Sequence, residues 1–268
     1  MDGCLLPDDP VNLPVSMSGP NPDSPRAVIV GGNTFDSTCV GATGALGHPT
    51  DKASLDAHLE TYFPGEVDTV LAPYRPYLDA VGAGSAPVPH DVWCNEFCMV
   101  WLTMSRDAGV TCPSLWIARQ LSAFHPGSKN ALTVWLYQFG YNGTVPGDSV
   151  NHGGELDFVW HRKNAFDSPQ ATSVSFAIGE YWSSFVGNGT PAFHKTRANW
   201  PEEWPPFRVA EEEQFLNVSG SPKHEGATMG TIGNGYSGLF GETCEAWEDY
   251  IRTGPTQADR FNAFGYLC

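Results

Sequence analysis

The chain has no apolar run near the roughly 18 residues needed to cross a membrane, and no internal repeat. Basic residues are scarce: 14 Lys and Arg stand against 30 Asp and Glu in 268 residues, a net charge of −16. A surface so acidic argues against nucleic acid or an anionic membrane as partner, and serves either solubility or attraction of a cationic molecule. The opening residues, Met1-Asp2-Gly3-Cys4, contain neither a basic leader nor an apolar h-region, so nothing in the chain as written directs export. Metal-ligand spacing is missing as well. Cys94 and Cys98 form an i, i+4 pair with no further ligands nearby and read as buried thiols on one helix face, so no metal and no cofactor is expected.

What is present points in another direction. Seven cysteines, an odd number, leave at least one thiol free or paired with another chain. Asn142-Gly143-Thr144, Asn188-Gly189-Thr190 and Asn217-Val218-Ser219 match the glycosylation acceptor, although Pro191 directly after the second reduces its use. These features suit a secreted protein and conflict with the lack of a leader. The apolar content is enough for a globular core in one or two domains.

Taken in order, residues 1–25 are rich in Pro, Asp and Ser and read as a leading loop. Arg26 to Val30 is a short β-branched run that leaves through Gly31-Gly32-Asn33, a buried strand followed by a turn. Asp36 falls just beyond that strand's carboxyl end, the edge at which open α/β sheets collect ligands and catalytic groups. A helix is expected over 53–63, with Leu55, Leu59 and Tyr62 on one face and Asp51 or Ser54 as cap. Residues 74–89 read as a connection. A stronger helix is expected over 91–105, and a third after Cys112-Pro113, where proline's missing N–H costs little. Leu132 to Phe139 is a strand, residues 140–150 are turn chemistry, and 172–186 is a helix burying Phe176, Trp182 and Phe185. A last strand over 213–218 and a last helix over 242–252 complete the α/β pattern.

The most informative stretch is Asn151-His152-Gly153-Gly154-Glu155-Leu156-Asp157-Phe158. Two glycines after an imidazole permit a sharp turn that presents the ring to a cleft, where it can serve as a general base near neutral pH. This stretch resembles the histidine motif of the type-B carboxylesterase and cholinesterase family. Three other passages resemble the same family in the same order. Met1 to Pro10 looks like its Asp-Gly, Leu-Pro, Pro passage, and Val28 to Ser37 like the strand, Gly-x-Asn turn and acidic residue that supply the triad acid. Glu180 to Pro191, with Trp200-Pro201, looks like its Tyr-Trp-x-x-Phe helix end and Trp-Pro turn.

The resemblance implies an α/β-hydrolase fold in which His152 is the base and Asp36 the acid. Their chain order, acid before histidine, obeys the family's rule. The family usually has Glu-Gly where this chain has Asp36-Ser37, and the shorter side chain requires a compensating backbone shift. Glu155 matches a family position too, with bracing of the loop as its expected work. The resemblance also implies a Cys112–Cys244 disulfide, because Cys112-Pro113 and Cys244-Glu245-Ala246-Trp247 look like the family's paired cysteines. Cys4, Cys39 and Cys268 have no expected partner.

A Gly-x-Ser-x-Gly nucleophile elbow does not occur. Gly235-Tyr236-Ser237-Gly238 has its second glycine one residue too early and follows His152, and Gly84-Ser85-Ala86 also departs from the pattern. Residues 1–268 are therefore expected to be the carboxyl-terminal portion of a carboxylesterase domain. In that reading 26–268 is a partial α/β-hydrolase core, and the half carrying serine and oxyanion donors is missing. The intact protein would be secreted, take a small-molecule ester and form an acyl-enzyme, while this chain alone would be inactive. The rival reading is a non-catalytic cholinesterase-like binding or adhesion domain, against which the retained pair speaks. Half a sheet is also expected to expose a strand edge and apolar faces.

Overall fold

The computed structural model describes residues 26–34, 36, 49–82, 95–123, 132–141, 150, 152–162, 168–193, 200–201, 203–209, 213–221, 224–232 and 242–253. Within them a four-stranded sheet runs in the order β1 (Arg26–Asn33), β2 (Leu132–Gly140), β3 (Gln214–Ser221), β4 (His224–Thr231). The first two pairings are parallel and the last is antiparallel. The register sets Val30 beside Leu136 and Asn33 beside Phe139, so β1 and β2 end together. That shared end carries the candidate site. Among the described residues β1 pairs with a strand on one side only.

Side chains alternate across a strand, so β2 feeds two cores. Val134 and Leu136 point into one, Trp135 and Phe139 into the other. The first core is closed by helices α1 (Lys52–Tyr62), α2 (Val67–Leu71), α4 (Glu96–Arg106), α5 (Cys112–Ala123) and α8 (Glu242–Thr253). The second is closed by the short α6 (Leu156–Val159), by α7 (Pro169–Asn188) and by Trp200 and Trp204. Both faces of the sheet are thus covered. Among the described residues the most open large apolar side chains are Val186 at 83 % and Trp160 at 67 %.

Local chemistry explains where these elements start. Asp51 caps α1 through a capping box with Ser54, satisfying amides that have no partner inside the helix. Asn95 caps α4 and Ser168 caps α7, with Pro169 in its first turn. Gly189, at φ 74°, ends α7 in the left-handed conformation that glycine adopts without steric cost. A π-helical turn, Asp107–Thr111, joins α4 to α5.

Four expectations are corrected. The connection expected over 74–89 contains α3 (Arg75–Gly82), preceded by a 3₁₀ turn at Ala72–Tyr74; Pro73 and Pro76 fall in first turns, where proline does not break a helix. Strand β4 was not expected, because its small and glycine-rich sequence carries little β signal. The buried stripe of α7 is Ala171, Val174, Ala177, Ile178 and Tyr181, while Phe176 is half-exposed and stacks on His161. Finally, Cys98 is disulfide-bonded rather than a thiol, and its partner lies outside the described residues, as do Cys4, Cys39, Cys94 and Cys268.

Cys112, the first residue of α5, is joined to Cys244 of α8, the pair implied by the resemblance. The bridge lies in the first core beside Trp247, which is buried there. No helix among the described residues is long and apolar enough to cross a membrane.

Candidate functional site

The site begins where β1 stops. Gly31 lies under the ring of Tyr137 from β2, so closely that a Cβ would overlap it. At Gly32 a Cβ would meet Val110 of the π-helical turn at 2.7 Å and the Asp36 carboxylate at 3.1 Å. The two glycines therefore leave room for the chain to fold back and tuck an acid against the strand end. Asp36 is 6 % exposed, and its Oδ2 accepts the backbone N–H of Asn33 at 2.5 Å.

The second half arrives from β2. Beyond Tyr141 the chain returns at Val150, which is buried, and then turns at Gly153 with φ 73°. That positive φ is the reason for glycine after the histidine. The turn closes with Leu156 N–H donating to the Gly153 carbonyl at 3.1 Å, and α6 starts there. His152 sits on this turn with its side chain 63 % exposed, and its Nδ1 lies 3.1 Å from Asp36 Oδ1. An ionised carboxylate only accepts, so the contact holds the proton on Nδ1 and leaves Nε2 as the basic nitrogen. Asp36 therefore reaches the ring despite being a methylene shorter than glutamate.

Asn33 and Glu155 tie the two halves together. Asn33 Nδ2 donates to Glu155 Oε2 across a separation of 122 residues. The bracing expected of Glu155 thus has a named partner, one buried at the end of β1. Both carboxylates also act on Tyr137: burial, then the charges of Glu155 and Asp36, hold its phenol well above its ordinary 10.0.

Behind the site runs a buried polar chain that the sequence reading missed. Arg106, at the end of α4, donates through Nε and Nη2 to Asp107 Oδ1 at 2.8 and 2.6 Å and through Nη1 to the Thr34 carbonyl at 3.0 Å. Tyr74 donates its hydroxyl to Asp107 Oδ2 at 2.9 Å and accepts Trp247 Nε1–H at 2.7 Å. Burial pushes the Asp107 carboxyl up, against the pull of Arg106. Each buried group has its hydrogen bonds, the condition for keeping charge inside a protein. The one signal in the sequence was an adjacent Arg-Asp at the end of an apolar helix.

Other candidates fall differently. His161 Nδ1 lies 2.8 Å from Ser175 Oγ, but that serine is fully buried and donates to the Phe158 carbonyl at 2.7 Å. It joins α6 to α7 from a fully buried position. Asn188 is exposed at the end of α7, whereas Asn217 is 5 % exposed inside β3, paired with β2 and β4, and Asn142 lies outside the described residues. Among the described residues no three His, Cys, Asp or Glu side chains gather where they could hold a metal ion.

Among the solved structures similar to this chain are two titled as PNB esterases. One, titled "PNB esterase", is 17 % identical over 76 % of this chain and 35 % of its own, with a TM-score of 0.47. The other, titled "Thermophylic PNB esterase", is 16 % identical over 82 % of this chain and 38 % of its own, with a TM-score of 0.49. The chain thus spans little more than a third of the length of those structures. No curated protein matches it. Residues 1–233 match the profile described as "Carboxylesterase family". With that match covering most of its length, the chain belongs to the carboxylesterase family.

Proposed function

We propose that this chain supplies the base and acid of a serine carboxylic ester hydrolase whose nucleophile comes from outside these 268 residues. In this reading residues 26–268 are the carboxyl-terminal part of an α/β-hydrolase core, with 1–25 leading into it. The observation that carries the reading is the 3.1 Å contact between His152 Nδ1 and Asp36 Oδ1 at the common end of two parallel strands. Family membership supplies the reaction class, and the absence of a Gly-x-Ser-x-Gly from the sequence supplies the missing part.

The chemistry follows from the geometry. A serine hydroxyl placed at His152 Nε2 gives up its proton to that nitrogen as its oxygen bonds to the ester carbonyl carbon. The buried Asp36 carboxylate stabilises the imidazolium and fixes the ring. Collapse of the tetrahedral species passes the proton to the departing alcohol and leaves an acyl-serine. Water then repeats the sequence and releases the acid. The Cys112–Cys244 bridge supports an oxidising compartment, hence a secretory route for the intact protein.

A fluorophosphonate probe tests both parts. The purified 268-residue chain should take no stoichiometric label, and the protein carrying the upstream sequence should label at a serine and lose labelling in His152→Ala. Labelling of the chain alone overturns the external nucleophile. A complete protein that never labels overturns the esterase reading and favours the binding domain.

A further inference from the structure

We propose that Thr34 is the positioning residue that locks the acid turn to the histidine loop, an inference that rests on the proposed pairing of Asp36 with His152. Thr34 lies two residues before Asp36, and Val150 lies two residues before His152. The Thr34 hydroxyl joins them, with Val150 N–H donating to Oγ1 at 3.2 Å. The backbone of Thr34 is held at both of its polar groups. Its N–H donates to the Phe139 carbonyl of β2 at 2.8 Å, and its carbonyl accepts Arg106 Nη1 at 3.0 Å. Its methyl is wedged as well: at Gly140 a Cβ would stand 2.7 Å from Thr34 Cγ2, so only glycine lets the methyl lie there.

A β-branched side chain has a stiff χ1, so a methyl trapped over Gly140 fixes the direction of the hydroxyl. That hydroxyl then satisfies an amide that no described strand or helix pairs, since Val150 falls between β2 and α6. A loop amide left unpaired at a buried position is costly, so the loop settles where the hydroxyl is. Thr34 is thus a positioning residue and is assigned no proton transfer. It acts through the two turns it joins, and a displacement of about 1 Å in such a pair is enough to cost on the order of 100-fold in rate.

The test compares Thr34→Val, which keeps the shape and removes the acceptor, with Thr34→Ser, which keeps the hydroxyl. Two measurements on the 268-residue chain need no turnover: amide hydrogen exchange at Val150, and the share of His152 rings protonated at Nδ1, read from histidine ¹⁵N shifts. In Thr34→Val the Val150 amide should exchange about tenfold faster, the loss of one hydrogen bond. The Nδ1–H share should fall, and Thr34→Ser should restore both. In the complete protein, Thr34→Val should lower kcat by about tenfold or more at unchanged KM. Wild-type ¹⁵N shifts and kcat in Thr34→Val overturn the proposal. Should the valine variant fail to fold, Thr34→Cys, with a weaker acceptor, carries the same two outcomes. If the unsubstituted protein hydrolyses no ester while Thr34→Val still moves the His152 signal, positioning stands and the esterase reading falls.

Discussion

The carboxylate of Asp36 and the imidazole of His152 meet at 3.1 Å across 116 residues of sequence, the acid buried and the ring open to solvent. Asp36→Asn should keep the shape and lose the function. An asparagine amide that turns its NH₂ toward Nδ1 imposes the wrong tautomer, and the same exchange in a serine triad costs about 10⁴ in kcat. Steady-state hydrolysis of a chromogenic ester by the complete protein measures it, and a loss below tenfold would separate this contact from catalysis.

Alkaline pH should expose the buried Tyr74. Its phenol is held well above the ordinary 10.0, by burial first and by the Asp107 carboxylate second. The unfolded chain therefore releases this proton at lower pH than the folded one. The stability it contributes is whole below that ordinary value and is lost as pH rises toward the folded pKa, at about 1.4 kcal/mol per pH unit. Urea unfolding of Tyr74→Phe should lose about 1.4 kcal/mol less stability in total between pH 9 and 11, from a lower starting stability because Trp247 Nε1–H and the Asp107 carboxylate each lose a hydrogen bond to the phenol.

Replacing Cys112 and Cys244 together by serine opens a loop of 132 residues. In the chain-entropy model the bridge stabilises the fold by on the order of 5 kcal/mol, less any strain. A melting temperature unchanged by the double replacement would show that the unfolded chain is restrained by other means.

Gly31→Ala drives a Cβ into the ring and carbonyl of Tyr137. Overpacking of this kind costs about 1–3 kcal/mol, and the strand end must shift to relieve it. We expect lower thermal stability together with a weakened His152–Asp36 contact, read from the ¹⁵N shifts of the ring. Tyr137→Leu, which withdraws the ring, should rescue part of the loss.

If the intact protein is secreted, glycan occupancy should differ between the two acceptors that can be located. Asn188 is exposed, whereas Asn217 lies inside the sheet between β2 and β4. Peptide mapping after enzymatic deglycosylation should find Asn217 unmodified. Any glycan on the two should disappear with Asn188→Gln, and modification at Asn217 would contradict the strand assignment.

The site was legible because its parts are marked by residues with few other uses. Gly31-Gly32 at a strand end, an acid beyond it, and His152 before a pair of glycines each restrict the backbone, and the two strands delivering them are β-branched or aromatic runs. The supporting residues carry no such mark. Thr34 is an ordinary turn residue until Gly140, distant in sequence, proves to lie beneath its methyl. Nothing local in an adjacent Arg106-Asp107 announces burial, yet they are 7 % and 1 % exposed. Burial of that pair depends on Tyr74 and Trp247, which arrive from two other helices and which no local pattern could couple to it. Strand β4 escaped for a related reason: its glycines are set by the partner strand, Gly230 leaving space for the Phe215 ring.

Among the described residues the strands stand side by side in the order in which a ribosome would release them. Each new strand can join the rim of what is already assembled, without threading between earlier neighbours. The exception is the bond between Cys112 and Cys244, whose later sulfur is delivered on the final described helix. Oxidation of that pair then acts as a completion mark, attainable only after all four described strands have emerged, and legible to an oxidative quality-control system.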